Sequence, residues 1–215
     1  MTSSAESATL IRAIYNARVN LLAQLEYIGY DTNEHKSFNI HQIDAMKKQN
    51  QLDFILEDLK TGSKVYVKHH IGPNALRSNI LNKYVEKMFG DGLDETEVVL
   101  QPTDALIVII ENEPNDSLRE YMSLLYGRTK TYVSVLNLNR LQYNVLEHEL
   151  VPAVKPVRDT EHLLKELSIQ SLKQLPEISR FDPMAMAILL RPGEVAHITR
   201  KSPTAKTADY WRVCV

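Results

Sequence analysis

Ala105-Leu106-Ile107-Val108-Ile109-Ile110 is six apolar residues without a break. Bounded by turn-rich sequence, a run this short and β-branched reads as a strand covered on both faces, the signature of a parallel sheet's centre. The elements around it fit that reading. Upstream, Leu52-Asp53-Phe54-Ile55-Leu56 and Lys64-Val65-Tyr66-Val67-Lys68 flank Lys60-Thr61-Gly62-Ser63, a hairpin. Pro73 is expected to open a helix carrying Leu76, Ile80, Tyr84 and Met88, and Asp91-Gly92-Leu93-Asp94-Glu95 to follow as a solvated acidic loop. Downstream, Glu113-Pro114-Asn115-Asp116-Ser117 turns into a helix over Leu118–Tyr126, and Thr131-Tyr132-Val133-Ser134-Val135 supplies another strand. Strands alternating with helices predict a layered α/β domain up to about residue 143.

Two helices precede the hairpin. Ser3 and Glu6 have capping-box spacing, and Leu10, Ile14, Leu21, Leu25 and Ile28 follow at helical intervals, so a first helix is expected from about Ser4 to Ile28, stopped by Gly29. Its apolar stripe reads as core. A shorter helix runs from Asn39, its N-cap, through Ile40, Ile43 and Met46.

The last seventy or so residues have a different rhythm. His148-Glu149-Leu150-Val151 reads as an edge strand ended by Pro152, and Asp159 caps a short helix with Leu163, Leu164 and Leu167. Ser171 and Gln174 repeat the capping-box spacing before Pro176, and Asp182-Pro183 opens a helix over Met184–Leu189. Arg191-Pro192-Gly193-Glu194 is a type II turn. Val195–Arg200 and Asp209–Cys214 then pair, joined by a loop holding Ser202, Thr204 and Lys206. The expected architecture is therefore mixed α/β (α+β) in two domains, 1–143 and 144–215.

The chain has 215 residues, 44% hydrophobic and 24% charged, which fits a globular protein. Twenty-five Lys plus Arg against 27 Asp plus Glu leave a net charge of -2, which excludes nucleic-acid binding by bulk charge. Cys214 is the only cysteine, so an internal disulfide or thiolate zinc site is excluded, and a structural thiol is expected. No apolar run approaches the roughly 20 residues of a membrane span, and the N-terminus has no signal-peptide pattern. The expectation is a soluble protein of a reducing compartment.

Catalytic motifs are missing: no GxGxxG, P-loop, HExxH, GxSxG or CxxC. His69 and His70 are adjacent and point to opposite faces of a strand, while His35 and His41 lack carboxylates at ligand spacing. Asp53, followed by Tyr66-Val67-Lys68, has the layout of a restriction-type nuclease core, an acid on one strand and acid-x-Lys on the next. Tyr66 stands where the second carboxylate belongs, which makes a poor magnesium site. A metal-dependent nuclease using Asp53, Lys68 and Asp104 is the rival reading. Pro114-Asn115-Asp116-Ser117 leads into a helix N-terminus where amides could meet a phosphate, with Arg119, Arg128 and Lys130 adding charge against Asp116 and Glu120.

Five short motifs stand in order near the C-terminus: His148-Glu149-Leu150-Val151-Pro152, Gln174-Leu175-Pro176-Glu177-Ile178, Asp182-Pro183, Arg191-Pro192-Gly193-Glu194-Val195, and Arg200-Lys201-Ser202-Pro203-Thr204. With Tyr210-Trp211-Arg212-Val213-Cys214, they resemble the assembly domain of the fifth subunit of eukaryotic nuclear RNA polymerases and its archaeal counterpart. The order of elements before residue 143 resembles the eukaryotic jaw domain of that family, nuclease-like in fold without being a nuclease. The resemblance implies a non-catalytic subunit of a DNA-directed RNA polymerase, without a cofactor of its own and not at a membrane. It would dock on the largest subunit, among the other polymerase subunits. His148, Pro176, Asp182, Pro183, Arg200, Ser202, Thr204 and Arg212 are the residues so implied at the partner. Pro114, Asn115, Ser117 and Arg119 would lie near downstream duplex DNA, making weak, non-specific contacts. A free transcription adaptor is the other alternative.

One departure stands out. The family has Gly-Arg where this chain has Lys206-Thr207, which implies a backbone position with φ > 0. With the divergent jaw, it points to a member far from ordinary nuclear polymerases, such as that of a large cytoplasmic DNA virus. The implied location is the nucleus for a cellular protein and the virion or cytoplasmic viral factory for a viral one.

Overall fold

The computed structural model describes residues 2–72, 74–90 and 100–215, and for residues 2–6 the backbone alone. The expectations for Pro73, for the Asp91–Glu95 loop and for the side chains of the Ser3/Glu6 capping box lie outside the described residues. The chain is an α+β protein with two compact units: residues up to Leu22 with Gly29–Tyr143, and Ala23–Ile28 with Asn144–Val215. Each contains a four-stranded mixed sheet.

In the first unit the helices are α1 (Thr2–Ile28), α2 (Asn33–Lys36), α3 (Ile40–Lys48), α4 (Ser78–Phe89) and α5 (Asp116–Thr129). The last residues of α1 count with the second unit. The strands are β1 (Phe54–Glu57), β2 (Lys64–His70), β3 (Ala105–Ile110) and β4 (Tyr132–Asn137), in spatial order β1-β2-β3-β4. All six residues of β3 are buried because it lies between two parallel neighbours. Burying a side chain such as Ile107 contributes about 1.5–3 kcal/mol. Parallel pairs need crossovers, which α4 and α5 provide. Alternation along β2 sorts the layers. Val67, opposite Phe54, faces the side on which Arg18 of α1 lies over the Phe54 ring. Lys68 and His70 face the other side, against Tyr84 of α4.

Asn39 is the expected N-cap of α3, and the structure adds a reciprocal capping box with Gln42. The helix expected from Pro73 instead begins at Ser78, so Leu76 is buried in the preceding coil. Gly29 ends α1 with φ +114. The short α2 carries a charged sequence, Asn33-Glu34-His35-Lys36, with no apolar period to announce it.

In the second unit β5 (Ala153–Val157), β6 (Glu177–Ile178), β7 (Val195–Ser202) and β8 (Lys206–Cys214) run in the order β5-β7-β8-β6, beside α6 (Thr160–Glu166) and α7 (Pro183–Ala187). Val154, Ala185, Ile188, Leu190, Ala196 and Cys214 form its buried core. Three expectations need correction. His148–Val151 is a turn, and the edge strand follows Pro152 instead of preceding it. An edge tolerates proline, since Pro156 has no N–H to donate. Tyr27 Oη donates to the Val154 carbonyl (2.9 Å). Ser171 and Gln174 do not close a reciprocal box. The Ser171 hydroxyl accepts from Lys173 N (3.3 Å) and Gln174 Oε1 from Gln170 N (3.0 Å), around a single 3₁₀ turn. The helix after Asp182 stops at Ala187, two residues early, with Leu189 at φ 49 and the Leu190 N–H donating to the Ala185 carbonyl. That is a Schellman ending normally taken by glycine; burial of the Leu189 side chain offsets its backbone cost. Gly193 sits at φ +92 in the expected turn, with Glu194 N donating to Arg191 O.

Candidate partner and nucleic-acid interfaces

The hairpin of β7 and β8 is longer than the sequence pattern indicates. Pairing continues to Ser202 opposite Lys206, leaving only residues 203–205 as the loop. Paired residues of an antiparallel ladder share a face and alternate along each strand. Arg200, Ser202, Lys206, Tyr210 and Arg212 therefore stand on one face. The Arg200 guanidinium lies 4.1 Å from the Tyr210 ring centroid and donates to its hydroxyl at 2.6 Å. Arg212 donates to the Glu177 carbonyl (3.1 Å), tying β8 to β6. Ser202 Oγ accepts from Ala205 N (3.3 Å) and lies 3.4 Å from Thr204 Oγ1.

The other residues implied at the partner hold turns and caps. His148 Nδ1 accepts from Leu150 N (3.3 Å). The Pro176 carbonyl accepts from Val213 N. Asp182 accepts from Met184 N (2.9 Å), and Pro183 fills the first helical position. The opposite face of the hairpin carries a group that sequence reasoning missed. His197 stacks on Trp211 at 5.3 Å, and both His197 and the Thr199 hydroxyl bond Asp209. Hydrogen bonds from Thr199 and then His197 hold that carboxyl below its usual range. Only the register brings residues 10 to 14 apart together, and the register depends on where the loop ends.

The turn leads into a helix as expected, but α5 begins at Asp116, two residues before Leu118, and runs on to Thr129. Asn115 is the N-cap, its side chain accepting from Leu118 N (2.8 Å). The turn borders a small cleft beyond the carboxyl ends of β2 and β3, lined by His70, Gly72, Asn74, Glu111, Pro114 and Asn115. His70 is engaged by the Tyr84 hydroxyl and the Asn74 carbonyl, each at 2.9 Å. Asn115, Ser117 and Asp116 are exposed, and Arg119 is 3.7 Å from Asp116. Glu113 pairs with Arg140 at 2.8 Å. The local balance is mixed, so any phosphate contact there is weak. Arg128 and Lys130 do not add to it. They sit at the far end of α5, about 14 Å along the axis from Arg119 or more.

The Asp53, Tyr66 and Lys68 constellation is assembled, and its one carboxylate is engaged by three donors. Asp53 Oδ2 accepts from Lys68 Nζ at 2.5 Å and from the Tyr66 hydroxyl at 3.4 Å, while Oδ1 accepts from His69 N at 2.7 Å. Although burial opposes it, the bonds from His69 and Lys68 hold the Asp53 carboxyl below its ordinary value. Burial, with Asp53 beside it, pushes the Tyr66 hydroxyl up to about 12. Asp104 is not part of the group. It accepts from Lys64 N and Gln101 N, both at 2.7 Å, at the opposite end of β2, about 13 Å away along the strand. The two aspartates therefore cannot share an ion. Among the described residues no cluster of three His, Cys, Asp or Glu could hold a metal. Cys214 is buried, donates to the Leu190 carbonyl, and has its thiol pushed up to about 12 by burial.

Residues 143–214 match the family described as RNA polymerase Rpb5, C-terminal domain. DNA-directed RNA polymerase subunit Rpo5 of Staphylothermus marinus is 46% identical over 80 residues, covering 36% of this chain and 87% of the relative. The chain belongs to this polymerase fifth-subunit family. Rpo5 of Thermococcus kodakarensis is 40% identical over 76 residues, 34% of this chain and 92% of its own. That of Archaeoglobus fulgidus is 39% identical over 77 residues, 35% of this chain and its entire length. The similarity thus spans the second unit.

The position where the resemblance implies a glycine can now be read in the structure. Lys206 has φ 63, the left-handed region, so the hairpin keeps the glycine conformation with a lysine in it. An L-residue there costs about 1–2 kcal/mol, partly offset by glycine's greater unfolded-state entropy. Lys206→Gly is expected to stabilise the second unit by about 0.5–1 kcal/mol. Urea unfolding followed by fluorescence of Trp211, the single tryptophan, measures this. An unchanged or lower midpoint would show that the lysine side chain compensates.

Proposed function

We propose that this chain is a non-catalytic subunit of a multisubunit DNA-directed RNA polymerase, docked on the largest subunit through residues 144–215. The observation that carries this reading is the relation of the second unit to RNA polymerase subunit Rpo5 over nearly all of the relatives' length. The hairpin supports the docking site. Arg200, Ser202 and Arg212 share one face with Lys206, and Thr204 lies in the loop at its tip. His148, Pro176, Asp182 and Pro183 hold the turns and caps of the small fold that presents it. The first unit is a nuclease-like jaw beside the entering duplex, with Pro114, Asn115, Ser117 and Arg119 placing a phosphate without reading sequence. The Asp53–Lys68 pair supports a nuclease-like frame whose chemistry is gone, and the slight net acidity leaves most of the positive channel to other subunits. The subunit acts wherever its polymerase transcribes, nucleus or cytoplasm.

A tagged full-length chain washed in high salt is expected to retain the largest polymerase subunits in near one-to-one ratio. Arg200→Ala should lower that retention about tenfold, the loss of a charge-assisted contact, while Lys155→Ala on the opposite face should not. Recovery of the tagged chain alone would overturn the assignment.

A further inference from the structure

The chain's nine prolines include only one preceded by a hydroxyl residue, Pro203 after Ser202. Ser202 is the last residue of β7, extended as a residue before proline must be, and Pro203, Thr204 and Ala205 are exposed. Ser202 itself is half-buried at the last pair of the ladder, next to the exposed tip, and the extended Ser202-Pro203 step is the backbone form a proline-directed kinase requires. The surroundings suit a phosphate. Lys206 is directly opposite on β8, and Arg200 is two residues back on the same face. The Ser202 oxygen needs no proton to accept from Ala205 N, and in its 3.4 Å contact with Thr204 the threonine hydroxyl can be the donor. As a phosphoester oxygen it would still accept.

We infer that Ser202 is a phosphorylation site for a proline-directed serine/threonine kinase, and that its phosphate closes the docking face. The second half rests on the docking reading above. In the step, Ser202 Oγ attacks the γ-phosphorus of ATP. The Oγ–P bond forms as the bond from that phosphorus to the β,γ-bridging oxygen breaks, ADP leaves, and the hydroxyl proton passes to a base on the kinase. The group adds about two negative charges and up to three acceptor oxygens. Arg200 turns its fork from Tyr210 to the phosphate and Lys206 pairs across the strand. The face bearing Arg200, Lys206 and Arg212 falls from three positive charges to about one. A partner surface complementary to those cations is then refused.

The test uses purified full-length chain, a purified proline-directed kinase and ATP. Fragment-ion mass spectrometry is expected to find one phosphate on Ser202, lost in Ser202→Ala and largely lost in Pro203→Ala. No incorporation, or incorporation elsewhere, overturns the site. Phosphorylated chain should capture the largest polymerase subunit at least about tenfold less well than unmodified chain, with Ser202→Ala unaffected by kinase treatment. Equal capture overturns the closing of the face. Failure of the unmodified chain to capture anything overturns docking instead, and the phosphate is then judged by phosphorus NMR. Its second ionisation should lie at lower pH than in Arg200→Ala/Lys206→Ala, and identical titrations overturn the pairing.

Discussion

Acidification below about pH 6.5, the ordinary imidazole value, is expected to weaken the first unit while the second stays folded. His69 is 3% exposed at its side chain, and burial holds its imidazole below that value. Asp53 beside it works in the opposite sense, and Arg18 and Lys68 add to the lowering. His35 is lowered by burial and by Arg18, against the Ile55 carbonyl and Glu34. Its Nδ1 lies 3.3 Å from the Arg18 guanidinium, which has no acceptor capacity, so that nitrogen must be unprotonated. Arg18 is itself 2% exposed, lies 5.3 and 4.2 Å from the ring centroids of Phe38 and Phe54, and is brought down to about 10 by burial. Protonating His35 sets a second cation against it.

The sign follows from proton counting. Folded His35 and His69 resist protons that the unfolded chain accepts, so their stabilisation is complete above about 6.5 and declines as pH falls. Each proton bound only by the unfolded chain costs up to about 1.4 kcal/mol per pH unit. A second loss begins as pH falls below about 3.8, where Asp53, whose folded value is depressed, starts to protonate in the unfolded chain. Far-ultraviolet circular dichroism reads helix loss in the first unit, and Trp211 fluorescence reads the second unit separately. His69→Leu should flatten the upper window. Denaturant stability constant from pH 7.5 to pH 5 would sink the idea.

The parts of this fold that can be read from sequence are those in which local chemistry and tertiary environment ask for the same thing. The run Ala105–Ile110 is buried on both faces because it is apolar on both faces. Asn39 caps α3 because a short polar side chain before an amphipathic run has one good use. The misreadings fall where packing overrules local preference. His148–Val151 alternates like a strand, yet the segment that pairs with β7 is Ala153–Val157, with a proline inside it, because Val154 is the side chain that fills the core. Leu189 takes a backbone conformation no local pattern assigns to leucine, and at Lys206 only the family resemblance, not the lysine itself, points to a positive φ.

The candidate sites divide in the same way. Asp53, Tyr66 and Lys68 can be grouped from sequence because hairpin pairing is a local property. Asp104 does not belong with them, since its place at the other end of β2 follows from the parallel β2–β3 register, which needs the α4 crossover to define it. The His197–Trp211–Asp209 group is invisible in the sequence for a related reason. Moving the loop boundary by one residue would put these side chains on different faces.

Asp53→Ala is expected to destabilise the first unit by about 2 kcal/mol, and that loss identifies what the Asp53, Tyr66 and Lys68 group does. The carboxylate accepts from Lys68 Nζ, the Tyr66 hydroxyl and the His69 backbone N–H, three donors from successive parts of β2. It joins the start of β1 to the end of β2, beyond Phe54↔Val67, the last ladder pair. Removing it strands Lys68, whose side chain is only 25% exposed, against the Tyr84 ring. Bonds to a charged group contribute about 1.5–3 kcal/mol each way, and the stranded partner makes the single change worse than the pair's net worth. Asp53→Ala combined with Lys68→Met should therefore cost less than Asp53→Ala alone, because no unpaired cation is left. Urea unfolding of the four chains, read by circular dichroism, closes the cycle. Additive losses would mean that Lys68 finds water without cost and that the pair does not brace the sheet. In a working metal site, by contrast, taking away a ligand carboxylate relieves crowded negative charge and tends to raise stability while abolishing cleavage. Destabilisation without any change in phosphodiester hydrolysis would thus mark the group as a strand tie. Stabilisation with loss of cleavage would reinstate the enzyme.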